Sequence, residues 1–266
     1  MTVNMASSSS RLELGYWKIR GLASNLRYQL AYGKIPYQNV VYEQGDAASG
    51  FSKKVWTDVK FSLGMPFPNL PYLMHYHQGL LTEQPEETIK QENQLSEDHD
   101  VKISETQAIH QYLAARFSPT LLGQTPKEIG EINQLFGVLE TVKNQCTGVC
   151  YRENAERAAI VENASPGFQR MSDYLEQKIR TQEGQNRSTF LTGDEVKWVD
   201  FYFLELVERF NWLLEDKLAE KYPVLQEYRR HMASLPGVAA QLEAELELEF
   251  NNKHSVVNGK AYRLAV

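Results

Sequence analysis

The sequence predicts a small α+β domain over residues 11–118 followed by an all-helical domain over residues 119–266. Up to about Phe117, short β-type segments alternate with short helical ones; after Pro119 every long segment has helical spacing. Length bounds the same answer. A chain of 266 residues with a hydrophobic fraction of 42% can fill two cores, and none of its apolar runs reaches membrane-spanning length.

The elements follow in order. "LELGYW" reads as a strand ending in glycine and aromatics, and Leu22 to Lys34 as a helix with Leu22, Leu26 and Leu30 on one face. "YQNVVYE" is a second strand, followed by a loop with a short helix. "FPNLPYLMHYH" is a strand that begins with a proline, and "VKIS" is a short strand ahead of a helix from Glu105. The order β-α-β, loop, β-β-α implies a mixed sheet covered by helices. In the second half, helices are predicted in "PKEIGEINQLFGVLETVKNQCTGVCY", in "GFQRMSDYLEQKIRTQ" and in the very apolar "WVDFYFLELVERFNWLLEDKL". "YPVLQEYRRHMASL" and "PGVAAQLEAELELEF" add two more, each with Pro near its start, where the missing N–H costs least.

Several features bound the function. Net charge is −6, with both signs scattered along the chain, which excludes a nucleic-acid-binding surface. Residues 1–10, "MTVNMASSSS", have neither an apolar signal core nor the arginines of a transit peptide, and read as a disordered head on a cytoplasmic protein. Cys146 and Cys150 read as small helix-packing residues, not a redox pair. His75 and His77 share one side of a strand, with His99, Asp98 and Asp100 opposite; an exposed polar strand face is expected there and no metal site. Residues 83–100, "EQPEETIKQENQLSEDHD", hold seven acids against Lys90 alone and read as a solvated insert able to meet a basic protein partner.

Three motifs carry chemistry. In "LGYWKIRGL", Tyr16 sits where a strand gives way to a helix, so its hydroxyl could donate to an anion beside the helix N–H groups, or simply belong to the core. In "FPNLPYL", a cis bond before Pro71 would turn the backbone groups of Leu70 towards an extended peptide; the plainer alternative is a proline that opens an edge strand. In "VKISETQAI", Ser104 and Gln107 have capping-box spacing, while Glu105 and Thr106 could face the two ends of an α-amino acid.

Together "LGYWKIRGL", "YEQGDAASGFSKKVWTDVKFSLGMPFPNLPYL" and "GQTPKEIGEINQL…CY" resemble a cytosolic glutathione transferase of the mu class, from Leu12 to about Leu235 apart from the acidic insert. The resemblance implies a thioredoxin-like first domain, a helical second domain, and glutathione as co-substrate with no cofactor. It implies that Tyr16 donates to the glutathione sulfur. Trp17, Leu22, Lys53, Trp56 and Lys60 would line the peptide and its glycine carboxylate, and Asn69, Leu70 and Pro71 would meet the cysteinyl backbone. Glu105 and Thr106 would meet the γ-glutamyl end, with Ser104 and Gln107 capping the same helix. Tyr151 would line the pocket for a small hydrophobic electrophile. Phe67 matches the aromatic side chain that plugs into a second subunit, so a dimer with itself or a related chain is implied.

The sequence also departs from that family. Asn133, Phe136 and Thr141 stand where it carries acids, and Gln111 and Ala115 where it carries arginines, so the interface charges are gone. Lys197 replaces a helix-capping Ser or Thr, a loss of about 1 kcal/mol that must be recovered elsewhere. Two functions are thereby opposed: a transferase, or a non-catalytic subunit of an assembly built on the same fold.

Overall fold

Strand β1 (Arg11–Trp17) is central in a four-stranded sheet, which is why it is buried along most of its length. In this computed structural model, residues 11–76, 100–180 and 190–264 are described. The strand order is β2-β1-β3-β4, with β2 at Gln38–Tyr42, β3 at Tyr72–Tyr76 and β4 at Val101–Ser104. β2 is parallel to β1; β3 is antiparallel to β1, and β4 to β3. One face packs Leu12, Leu14 and Leu73 on Leu26 and Leu30 of α1 (Ser24–Tyr32) and on Ile109 and Leu113 of α3 (Thr106–Phe117). The other packs Tyr72 and Met74 with Tyr42, Met65 and Trp56 of the short helix α2 (Lys54–Thr57). Gly15 pairs with Tyr72 across the sheet, and a Cβ there would fall 2.1 Å from the tyrosine ring, so only glycine fits.

The second half is helical: α4 (Pro126–Thr147), α5 (Arg157–Arg180), α6 (Trp198–Leu213), α7 (Leu218–Lys221), α8 (Pro223–Ala233) and α9 (Val238–Ala244). Every residue of α6 is buried, including Asp200, Glu205, Glu208 and Arg209. Those charges tie α6 to its surroundings. Arg20, on the loop after β1, lies 3.1 Å from Glu205, and Arg229 of α8 pairs with Glu208. Tyr32 packs on Phe201 and His110 on Trp198, so α6 joins the sheet half to the helical half.

Four expectations are corrected by this arrangement. Helix α5 begins at Arg157, not after Pro166, and runs through that proline. An interior proline costs about 3 kcal/mol; here it is offset by packing, with Phe168 stacked on Phe210 at 3.7 Å and Gly167 so close to α4 that a Cβ would meet Gln145 at 2.6 Å. Helix α6 ends at Leu213, because Glu215 and Asp216 turn left-handed with φ of 55° and 65°. β3 is not an edge strand and starts one residue after Pro71. His75 is buried, with Nδ1 2.6 Å from the Tyr112 hydroxyl, because β3 is covered by α3 on that face. Cys146 and Cys150 are free and buried, as helix-packing residues should be. The head, His77, His99 and nearly all of the acidic insert lie outside the described residues.

Candidate active site

Tyr16 stands at the end of β1, its ring buried and its hydroxyl accepting the Leu22 N–H at 3.0 Å. That bond uses a lone pair and leaves the phenolic proton available. Burial pushes the Tyr16 pKa up to about 12, so at neutral pH the group is a neutral donor and not a phenolate. The loop can turn this closely because Gly21 adopts φ +48°; a Cβ there would fall 2.6 Å from the Tyr16 hydroxyl. Beside it opens a cavity of about 210 Å³ whose walls include Tyr16, Leu22 and Tyr151.

A second group of predicted residues gathers where β3 and β4 meet α3. The Leu70–Pro71 bond is cis. Asn69 donates to the Glu105 carboxylate at 3.1 Å, and Thr106 Oγ1 reaches the Leu22 carbonyl at 3.5 Å, linking this group to the Tyr16 loop. Glu105 holds φ +72°, a left-handed conformation that costs a non-glycine residue about 1–3 kcal/mol. It leaves an exposed carboxylate at the head of α3. No side chain caps that helix, so its first N–H groups are open donors.

The expected capping box is therefore absent, for a physical reason. Ser104 Oγ donates to the Phe67 carbonyl at 2.6 Å, and Gln107 donates to Asn133 at 3.0 Å. Both side chains are drawn away by partners distant in sequence. Ser104 instead pins the loop that presents Phe67, whose ring is 81% exposed.

Four remaining candidates lie along the loop after β2 and near it. Trp17 and Trp56 flank Tyr42 at ring distances of 6.3 and 5.2 Å, and Trp56 stacks on Tyr72 at 6.0 Å. Lys53 is exposed at the start of α2, and the Lys60 ammonium lies 5.4 Å over Phe61.

Sequence reasoning missed the C-terminal tail. Residues 249–258 fold back across the Tyr16 loop, with Arg20 and Gly21 donating to the carbonyls of Glu249 and Phe250 at 2.8 and 3.2 Å. Lys253 donates to the Gln44 carbonyl at 2.9 Å, and Val256 to that of Cys150 at 2.8 Å. The tail thereby adds Phe250, Asn251 and Asn252 to the cavity wall, beside Arg209 of α6, which with Glu205 also lines it. The only signal in the sequence was four charged residues inside an otherwise apolar helix.

Comparisons with known proteins agree with the fold. The family description "Glutathione S-transferase, C-terminal domain" matches residues 140–245. Glutathione S-transferase Mu 1 of Macaca fascicularis is 27% identical over 235 residues, covering 88% of this chain and 91% of that protein. Mu 2 of Pongo abelii is 29% identical over 237 residues, covering 87% and 90%. The crystal structure of the glutathione S-transferase Blo t 8 superposes with a TM-score of 0.68 at 20% identity, covering 92% and 99% of the two chains. The pi-class enzyme of Onchocerca volvulus also gives 0.68, at 18% identity and the same coverage. The chain is similar to mu-class glutathione S-transferases over most of its length and has the glutathione transferase fold.

Its departures from that family have structural explanations. Gln107 and Gln111 both donate to Asn133 Oδ1, at 3.0 and 2.9 Å, so an amide cluster satisfied within the chain fills the place of charges. Phe136 is packed against Trp198 and Tyr202 at ring distances of 5.3 and 5.0 Å. Lys197 cannot accept the N–H that a Ser or Thr would take. Its ammonium is buried and donates to the Thr120 carbonyl at 3.0 Å, with Glu128 at 2.9 Å and Glu195 at 3.0 Å. Asp200 keeps the reciprocal half of the cap, accepting the Lys197 N–H at 2.8 Å. Among the described residues no helix is long and apolar enough to cross a membrane, and no group of three His, Cys, Asp or Glu converges.

Proposed function

We propose that this transferase conjugates the thiolate of glutathione to small electrophiles, with Tyr16 as the residue that holds the sulfur anion. The supporting observation is the Tyr16 hydroxyl: neutral, buried, oriented by the Leu22 N–H and facing the cavity. Glutathione would lie from α3 to α2. Its ammonium would meet Glu105, and its γ-glutamyl carboxylate the Thr106 hydroxyl and the open N–H groups of α3. Its cysteinyl amide would pair with the Leu70 backbone beside Asn69 and Pro71, and its glycine carboxylate would reach Lys53 and Lys60, near Trp17 and Trp56.

The energetics are sufficient without a metal or a catalytic base. A free thiol of pKa about 8.5 is only a few per cent ionised at pH 7, and lowering it by roughly two units takes about 2.7 kcal/mol. One hydrogen bond to an anion contributes about 1.5–3 kcal/mol. The thiolate then bonds to the electrophilic carbon, displacing a leaving group or opening a double bond, and Tyr16 keeps its proton throughout.

Tyr16→Phe tests this. Turnover should fall about 10–100-fold while glutathione affinity, which rests on the backbone and carboxylate contacts, changes little. Equal turnover in variant and parent would remove Tyr16 from the reaction. A cytoplasmic dimer joined through Phe67 belongs to the same proposal, supported by the exposure of that ring.

A further inference from the structure

We infer that the cavity beside Tyr16 takes electrophiles carrying a carboxylate, which Arg209 binds; this rests on the transferase reading and narrows its substrate class. The cavity has an apolar side, formed by Ile19, Leu22, Leu206 and Phe250, and a cationic end at Arg209. The core between α1, α6, α8 and the tail buries four guanidiniums, Arg20, Arg27, Arg209 and Arg229, against three carboxylates, Glu205, Glu208 and Glu245. Three pairs account for all three acids. Arg27 lies 3.3 Å from Glu245, Arg229 bonds Glu208, and Arg20 lies 3.1 Å from Glu205, whose same oxygen also accepts the Tyr28 hydroxyl at 3.1 Å.

Arg209 is the remainder. It approaches only the second oxygen of Glu205, at 3.8 Å, beyond hydrogen-bonding range. Its own hydrogen bonds go to neutral acceptors, Asn251 Oδ1 at 2.6 Å and the Phe250 carbonyl at 3.1 Å. The other cation on the wall, Lys143, is held by both oxygens of Glu140 at 2.8 and 2.6 Å. Arg209 and Arg20 thus share the single charge of Glu205; four buried cations on three acids are unfavourable, and a carboxylate entering the cavity corrects the imbalance. Carboxylate is favoured over larger anions because a guanidinium edge matches its two oxygens, while Glu205 beside it repels further negative charge.

The chemistry is an addition. With a carboxylated enone, the thiolate sulfur bonds to one alkene carbon and the C=C pair moves onto the ketone oxygen. The resulting enolate takes a proton from water at its α-carbon; nothing is oxidised, and the carboxylate remains on Arg209 throughout.

A matched pair of small enones tests this: trans-4-oxo-2-pentenoate and its methyl ester, each with glutathione and each corrected for its uncatalysed rate. The parent should favour the acid in kcat/KM by about tenfold or more, the yield of one charge-assisted contact. In Arg209→Gln that ratio should collapse towards one. Asn251→Asp should collapse it too, by placing a permanent carboxylate where Arg209 already bonds, and it decides the matter if Arg209→Gln fails to fold. Parallel losses on acid and ester in Arg209→Gln, with the thiol pKa of bound glutathione raised, would mean that Arg209 serves the sulfur and would overturn the subsite. No preference in a parent that still turns over 1-chloro-2,4-dinitrobenzene would overturn the subsite alone. A parent inactive on all three electrophiles would sink the subsite together with the transferase reading.

Discussion

Replacing Lys197 by serine exchanges one way of ending a helix for another. Serine restores an acceptor for the open N–H at the start of α6, a gain of about 1 kcal/mol. Against it stand two losses. The Thr120 carbonyl loses the ammonium that donates to it at 3.0 Å, and an acceptor left unsatisfied costs about 1–3 kcal/mol. Three methylenes of a side chain only 2% exposed are removed, at about 0.8 kcal/mol each. The partners Glu128 and Glu195 are 25% and 63% exposed, so losing those ion pairs adds little. The losses exceed the gain by about 2–4 kcal/mol, which for a chain of this length lowers the melting temperature by roughly 5–15 °C. Differential scanning calorimetry of parent and Lys197→Ser measures this. A variant as stable as the parent would show that the ammonium clamp is worth no more than the cap it replaced.

Other expectations follow from the same structure. Asp200 is raised from 3.8 to about 6 by burial, so the stability it contributes is full below pH 3.8 and is lost as pH rises through 6. Urea unfolding should therefore show Asp200→Asn gaining on the parent by about 2.4 kcal/mol between pH 4 and pH 7, and a constant difference would contradict it. On the proposed dimer through Phe67, Phe67→Ser should release monomers in sedimentation at salt concentrations that leave the parent associated; an unmoved dimer would mean another interface. Ser104→Ala, which frees the loop bearing Phe67, should weaken that dimer by about 0.5–1.5 kcal/mol while leaving chain stability nearly as it was. Excising residues 83–99 should leave glutathione retention intact, and its loss from a folded variant would place the insert in the site.

The strands and most helices were legible in the sequence because their burial is periodic. Leu12 and Leu14, or Leu26 and Leu30, read the same way in the sequence and in the core. The residues proposed around Tyr16 rest on local motifs confined to short spans. What could not be read was any feature decided by a distant partner. Ser104 and Gln107 have the spacing of a cap, yet their bonds go to Phe67 and Asn133, positions no local pattern connects to them. His75 looked like part of a polar strand face until α3 covered it. Pro166 looked like a boundary because sequence reasoning charges its cost and cannot see Phe168 stacked on Phe210 offsetting it. The tail is the clearest case. "EFNNKHSVVNG" has no periodicity, and its place over the cavity depends on backbone carbonyls meeting Arg20, Gly21 and Arg209. The charge imbalance around Arg209 became visible only once four arginines and three acids, scattered from residue 20 to residue 245, were brought into one core.

The most direct measurement of the proposed chemistry is a titration of the thiol of bound glutathione, followed by the ultraviolet absorbance of the thiolate, in the parent and in Tyr16→Phe. The parent should bind glutathione with its thiol roughly two units below the free value of about 8.5, and the variant should return it most of the way at similar affinity. A thiol with the same pKa in both proteins would contradict the assignment of Tyr16 to the sulfur.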